Sequence, residues 1–248
     1  MAGQDKSALI RIGDFFFKWR NQVFPLILLT LFLAVPPRAT LFGSQPTDTI
    51  RDWLAGVMAV SGLVVRFATI GWAYIKRGGH HKKVHADTLV TSGYFGLCRN
   101  PLYLGNLLIY AGLFVLHGDP LVMILGMALF AAIYVSIVAA EEYFLAARFG
   151  AAYDAYCRDV PRWLPVMSRH GKVTRGMNFS LKRALIKDYP TIFNTVLSLI
   201  VLELLERYHT ASHVDLMASL PVYGGLLAVM LVFLVLVKLY KSRQTTTP

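Results

Sequence analysis

The stretch Leu121–Glu142 reads LVMILGMALFAAIYVSIVAAEE: twenty positions without a charge, closed by two carboxylates. A helix needs about 20 apolar residues to cross a bilayer, and this run supplies them without a proline or a charge. Other apolar runs flank it at Val23–Val35, Trp53–Ile75, Leu102–Leu116, Ile192–Leu205 and Leu220–Val237. The chain has 248 residues, 56% hydrophobic and only 16% charged, too little charge for an ordinary soluble domain of this length. The pattern predicts an all-α, polytopic transmembrane bundle of about six spans. The runs at 23–35, 102–116 and 192–205 are short. They reach the span length by drawing in flanking residues whose charges snorkel, or they fail to cross fully.

The net charge of +11 is not spread evenly. Basic residues crowd the N-terminal arm, the stretch from Lys76 to Arg99, the long segment after Glu142 and the C-terminus. The opposite side holds Arg38, Arg51 and Arg207. The positive-inside rule then puts both termini and both long loops in the cytosol, in the inner membrane if the cell is bacterial. Such a distribution speaks for anionic headgroups and against nucleic acid as the partner of the charge. Cys98 and Cys157 fall on the cytosolic side, where no disulfide is expected, and the Asn178-Phe179-Ser180 sequon stays unglycosylated. No cleavable signal or lipidation motif is read at either end.

Between the spans, residues 8–20 mix aromatics and bases as an interfacial helix does. His117-Gly118-Asp119-Pro120 is short enough to force a helical hairpin. Helical character continues past the membrane to Tyr156, Pro161 and Pro165 break it, and residues 166–188 read as a basic linker. Three parts follow: 1–75, an interfacial helix and two spans; 76–165, a core with cytosolic segments; 166–248, the linker and two last spans.

Chemistry concentrates in residues 85–165. Asn100 is a good N-cap and Pro101 suits the first helical position. The helix they open would turn free N–H groups toward the cytosolic loop, where an anionic group can bind. Glu141 and Glu142 sit at the cytosolic end of the longest run. Adjacent helical residues point about 100° apart, so one of the two faces a pocket. Arg66 lies about 15 Å along its helix from Lys76, near the bilayer midplane. A charge at that depth faces a cavity or a partner. His80, His81 and His85 sit among lysines and lack a carboxylate or thiol cluster, so no metal site is expected. P-loop, dinucleotide fingerprint and Ser-His-Asp patterns are missing.

The order Leu89-Val-Thr-Ser-Gly93-Tyr94, then Arg99-Asn-Pro-Leu-Tyr103-Leu-Gly, then Glu141-Glu142, Phe149-Gly, Tyr153, Tyr156 and Val160-Pro-Arg162-Trp-Leu-Pro165 resembles the isoprenylcysteine carboxyl methyltransferase and phospholipid methyltransferase superfamily. The likeness covers about a third of the chain, and Arg66 is similar to an Arg often found in the preceding span. It implies a membrane-embedded methyltransferase with S-adenosylmethionine in a cytosol-facing pocket and a lipid or prenylated acceptor. Carried over residue by residue, it implies cofactor contacts from Leu89, Val90, Gly93, Tyr94, Arg99, Asn100, Pro101, Tyr103, Glu141 and Glu142. Arg66, Glu142 and Arg162 take the catalytic role. Asn100 stands where the isoprenylcysteine branch carries His. Eukaryotic phosphatidylethanolamine methyltransferases are similar in having Asn-Pro there. The acceptor is thus open between a carboxylate and an amine. The rival class is a non-enzymatic transporter or sensor anchor, against which stands the lack of repeated spans.

Overall fold

A computed structural model describes residues 6–40, 45–72 and 86–245. Among them the regular structure is helical. It comprises α1 (Ala8–Ala34), α2 (Gln45–Trp72), α3 (Pro101–His117), α4 (Pro120–Phe149), α5 (Ala151–Asp159), α6 (His170–Val173), α7 (Leu181–Thr210) and α8 (His213–Thr245). Short 3-10 turns lie at Gly93–Gly96 and Met167–Arg169.

Among the described residues, four helices are long and apolar enough to cross a membrane: Thr49–Trp72 within α2, α4, α7, and His213–Arg243 within α8. They make this an integral membrane protein. Of about six spans expected, these four qualify on length and composition among the described residues. α3 has 17 residues, about 25 Å at 1.5 Å per residue, short of a hydrocarbon core about 30 Å thick. α1 has the length, with 27 residues, but its first half carries Arg11, Asp14, Lys18 and Arg20. The six long helices nevertheless alternate in direction. Lys6, just before α1, reaches the ring of Tyr143 near the end of α4. Lys182 at the start of α7 reaches Tyr240 near the end of α8. At the opposite end His117 Nε2 lies 3.0 Å from the carbonyl of Val35. The first end, which carries the Arg99 turn, is called the motif end here, and the second the hairpin end.

Local chemistry sets the boundaries. Ser7 Oγ accepts from the Ile10 amide and opens α1, which runs unbroken through Pro25, so the interfacial stretch and the first apolar run form one helix. α3 closes at Gly118, where φ of +75° favours glycine. Asp119 then caps α4 by accepting from the amides of Leu121 (2.9 Å) and Val122 (3.3 Å). The expected hairpin is built on these two residues. Ser180 Oγ accepts from the Arg183 amide, and the Ser180 amide donates to the carbonyl of Gly71. α7 therefore starts at Leu181, before the apolar run, and the last eight residues of the expected linker, 181–188, are part of it.

α2 and α3 are the most intimately packed pair. A Cβ on Gly62 would stand 2.4 Å from the Gly105 carbonyl oxygen, and one on Gly112 2.6 Å from that of Ala55. Small residues let the two backbones meet, as helices in lipid require. α1 packs on α4, α4 on α3, and α7 on both α2 and α3. α8 rests on α7, and none of its apolar window is buried; lipid is the solvent for its Val and Leu rows.

Candidate functional site

The motif end is assembled from segments about 60 residues apart. The Arg99 amide donates to the carbonyl of Pro161 (2.8 Å), and the Val166 amide to that of Leu97 (3.1 Å). Asn100 is the N-cap of α3 by position, but its side chain makes no cap bond. Its Nδ2 donates instead to the carbonyl of Arg162 (3.0 Å). Tyr156 Oη donates to the carbonyl of Phe95 (2.7 Å). These bonds fasten the 160–166 segment along the turn that precedes α3.

Behind this turn, Glu142 accepts from Arg162 at 2.8 and 3.2 Å and stands 3.5 Å from Arg99 Nη1. Burial works against the Arg99 charge, but Glu142, Cys157 and Tyr153 outweigh it and hold its pKa above the ordinary arginine value. Arg99 Nε is buried without a hydrogen-bond partner. Burial, reinforced by Glu142, pushes the Tyr153 phenol well above its usual range. Burial pushes the Cys98 thiol up to about 11.

In front of the turn lies a cavity of about 750 Å³, within the range of roughly 300–1,000 Å³ typical of ligand pockets. Arg99, Asn100, Tyr103 and Glu141 line its motif end, with Phe95 and Leu145. Arg66 and Asn106 line its middle, and Phe24, Leu28 and Leu113 its apolar depth. Glu141 and Glu142 are thus split by the helical turn: the first lines the cavity, the second faces the arginines.

Arg66 donates to five acceptors. Nε reaches Asp188 Oδ2 (3.1 Å), and Nη2 reaches Asp188 Oδ1 and Thr191 Oγ1 (3.0 Å). Nη1 reaches Asn106 Oδ1 (2.8 Å) and the Leu102 carbonyl (3.4 Å). A guanidinium has five N–H donors, and here each has a protein acceptor. Asp188 is 1% exposed. It lies within the stretch 166–188 that reads as a basic linker.

The remaining candidates separate. Leu89 packs with Ala86, Leu145, Tyr153 and Val160. Val90 is buried with Phe95 against Leu102. Gly93 opens the 3-10 turn at φ +59°, Tyr94 sits edge-on to His170, and Pro101 is the buried first residue of α3. These shape the turn and do not line the cavity, and neither do Glu142 and Arg162. His80, His81 and His85 lie outside the described residues. Among the described residues no group of three or more His, Cys, Asp or Glu is placed to hold a metal.

Similarity to known proteins gives the class to which this helical bundle belongs. The profile of the phospholipid methyltransferase family matches residues 51–152, the span from α2 to the start of α5. The cobalt-zinc-cadmium resistance protein CzcN of Cupriavidus metallidurans is 30% identical over 189 residues, 75% of this chain and 81% of that protein. The nickel-cobalt-cadmium resistance protein NccN of Alcaligenes xylosoxydans xylosoxydans is 31% identical over 129 residues, 50% of this chain and 56% of that one. No solved structure matches the chain significantly. The protein belongs to the isoprenylcysteine and phospholipid methyltransferase superfamily.

Proposed function

We propose that the protein is an S-adenosylmethionine-dependent methyltransferase acting on the polar head of a membrane lipid or lipid-like acceptor, with both termini and the motif end in the cytosol. What supports this reading above all is the convergence of Arg99, Asn100, Tyr103 and Glu141 on a cavity that also presents the apolar side chains Phe24, Leu28 and Leu113. The donor set fits the cofactor. Arg99 supplies a cation for an amino-acid carboxylate, and its buried Nε is a donor still to be satisfied. Glu141 supplies an anion for ribose hydroxyls or positive charge, and Tyr103 and Phe95 supply ring faces.

When bound, S-adenosylmethionine supplies a methyl carbon that the acceptor's lone pair takes as the carbon–sulfur bond breaks. The protein's own work is alignment and exclusion of water. Glu142, held by Arg162, keeps Arg99 in place. Arg66 acts as a positioning residue: it fixes α7 against α2 and α3 and so sets the width of the cavity. An amine acceptor loses a proton, and Glu141 is the carboxylate on the wall that can accept it. The names of the two relatives refer to resistance to cobalt, zinc, cadmium and nickel. A methylated lipid or lipid-linked product at the membrane is compatible with such a setting.

Calorimetry of the purified protein with S-adenosylmethionine tests the reading. Binding should be seen in wild type and should weaken about ten- to a hundredfold in Arg99→Ala, the loss of a charged hydrogen bond worth roughly 1.5–3 kcal/mol. No binding to wild type, together with no transfer of labelled methyl to a lipid extract, rejects it.

A further inference from the structure

α7 lies beyond the family match, yet it forms one whole wall of the cavity. Arg183, Lys187, Thr191, Asn194 and Ser198 recur at spacings of three and four and line it. They make a polar stripe about 22 Å long on a helix apolar enough to span a membrane. α1 stands on the other side with Arg20 and Asn21 at the same cavity. Residues of both helices thus face one cavity: Phe24, Pro25 and Leu28 from α1 and the polar stripe from α7.

Arg66 and Arg162 are committed to the carboxylates of Asp188 and Glu142, and Arg99, beside Glu142, is the cation assigned to the cofactor. Arg20 lies 4.6 Å from the Phe17 ring, and among the described residues neither it nor Lys187 has a carboxylate partner. A polar stripe in lipid is costly unless it meets water or a polar ligand. Cations beside hydroxyl and amide groups match a phosphate oxygen set.

Resting on the methyl-transfer reading above, we propose that Arg20, Arg183 and Lys187 form an anion subsite that holds the phosphate of the acceptor lipid. Its chains lie against Phe24, Pro25 and Leu28, which line the same cavity. The subsite selects phosphate-bearing lipids, and its specificity resides in α7 and α1, while the Arg99 turn serves the cofactor.

Native mass spectrometry of the full chain, offered phosphatidylglycerol and diacylglycerol of the same chain length, tests this. Wild type should retain the phospholipid in preference. In the double variant Arg183→Gln/Lys187→Gln that preference should fall about tenfold or more, each removed charge near an anionic lipid being worth roughly 1 kcal/mol. Arg20→Gln alone should lower it less. Lys182→Gln, whose ammonium lies over Tyr240 outside the cavity, should not change it. Calorimetry with S-adenosylmethionine on the double variant should match wild type, which also shows that the variant is folded. Equal retention of both lipids by wild type, or an undiminished preference in the double variant, overturns the proposal. Displacement by inorganic phosphate at the lipid's own concentration assigns the site to a free anion and overturns the lipid assignment. Lipid preference intact with no cofactor bound leaves the subsite standing and removes the methyl-transfer reading instead.

Discussion

Arg66 and Arg162 each grip a carboxylate, but the two pairs are built for different surroundings. The Arg66–Asp188 pair joins two membrane helices. Its side chains are 13% and 1% exposed, and every guanidinium donor has an acceptor. The Arg162–Glu142 pair joins a loop to the end of α4. Its side chains are 37% and 19% exposed, and a second arginine shares the carboxylate. A sealed pair has no cheap way to lose a member, since the survivor is an uncompensated buried charge. A half-open pair can rearrange, because water and a ligand both offer substitutes. The first suits a rivet and the second a hinge for a binding site.

The largest effect should come from breaking the rivet. Asp188→Ala should destabilise the protein by about 3–5 kcal/mol, read as a drop in melting temperature in detergent. An unchanged melting curve would mean that Asp188 is dispensable and the contrast false. Replacing both members, Arg66→Leu with Asp188→Leu, should recover most of the loss, since an apolar pair of similar volume is tolerated where a lone charge is not. Failure of the double variant to recover would make packing, not charge, the origin of the effect.

Glu142→Gln should cost less stability, about 1–2 kcal/mol, because solvent screens the arginines left behind. Its clearer signature should be weaker S-adenosylmethionine binding through a loosened Arg99. Equal losses of stability at 142 and 188 would erase the distinction between the pairs. The smallest effect probes how far the openness at Glu142 extends. Cys98 sits one residue from Arg99 and is fully buried, with its thiol pushed to about 11 from 9.0 by burial. At pH 8 it should carry about a hundredfold less thiolate than an ordinary cysteine. Alkylation followed by peptide mapping should find Cys98 protected at pH 8 and increasingly modified as pH rises toward 11. Rapid modification at pH 7 would show that the turn opens to solvent.

Much of this could be read along the chain, and the gaps have a common cause. The α3–α4 hairpin was legible because Gly118, Asp119 and Pro120 each do one local job. The N-cap position of Asn100 was legible too, but not the Arg162 carbonyl that its side chain holds, which depends on a segment 62 residues away. The start of α7 was missed because Lys182, Arg183, Lys187 and Asp188 make it look like a soluble linker. Hydropathy sees a helix that faces lipid, and it is blind to a turn whose charges face a cavity or a buried partner. The same blindness hid Asp188 as the partner of Arg66. Conversely, Arg162 resembled a pocket residue by motif, while in the fold it braces Glu142.

The spacing of the rivet has a consequence for biosynthesis. Arg66 and Asp188 are 122 residues apart, so the ribosome has made α2, α3 and α4 well before the carboxylate emerges. α2 therefore enters the bilayer carrying a naked guanidinium, at roughly 2.5–3.5 kcal/mol on insertion scales. Asn106 and the Leu102 carbonyl, both on α3, are the acceptors that arrive first. A chain arrested before α7 would hold that charge half-satisfied, and such a fragment is the form that membrane quality control would recognise as unfinished.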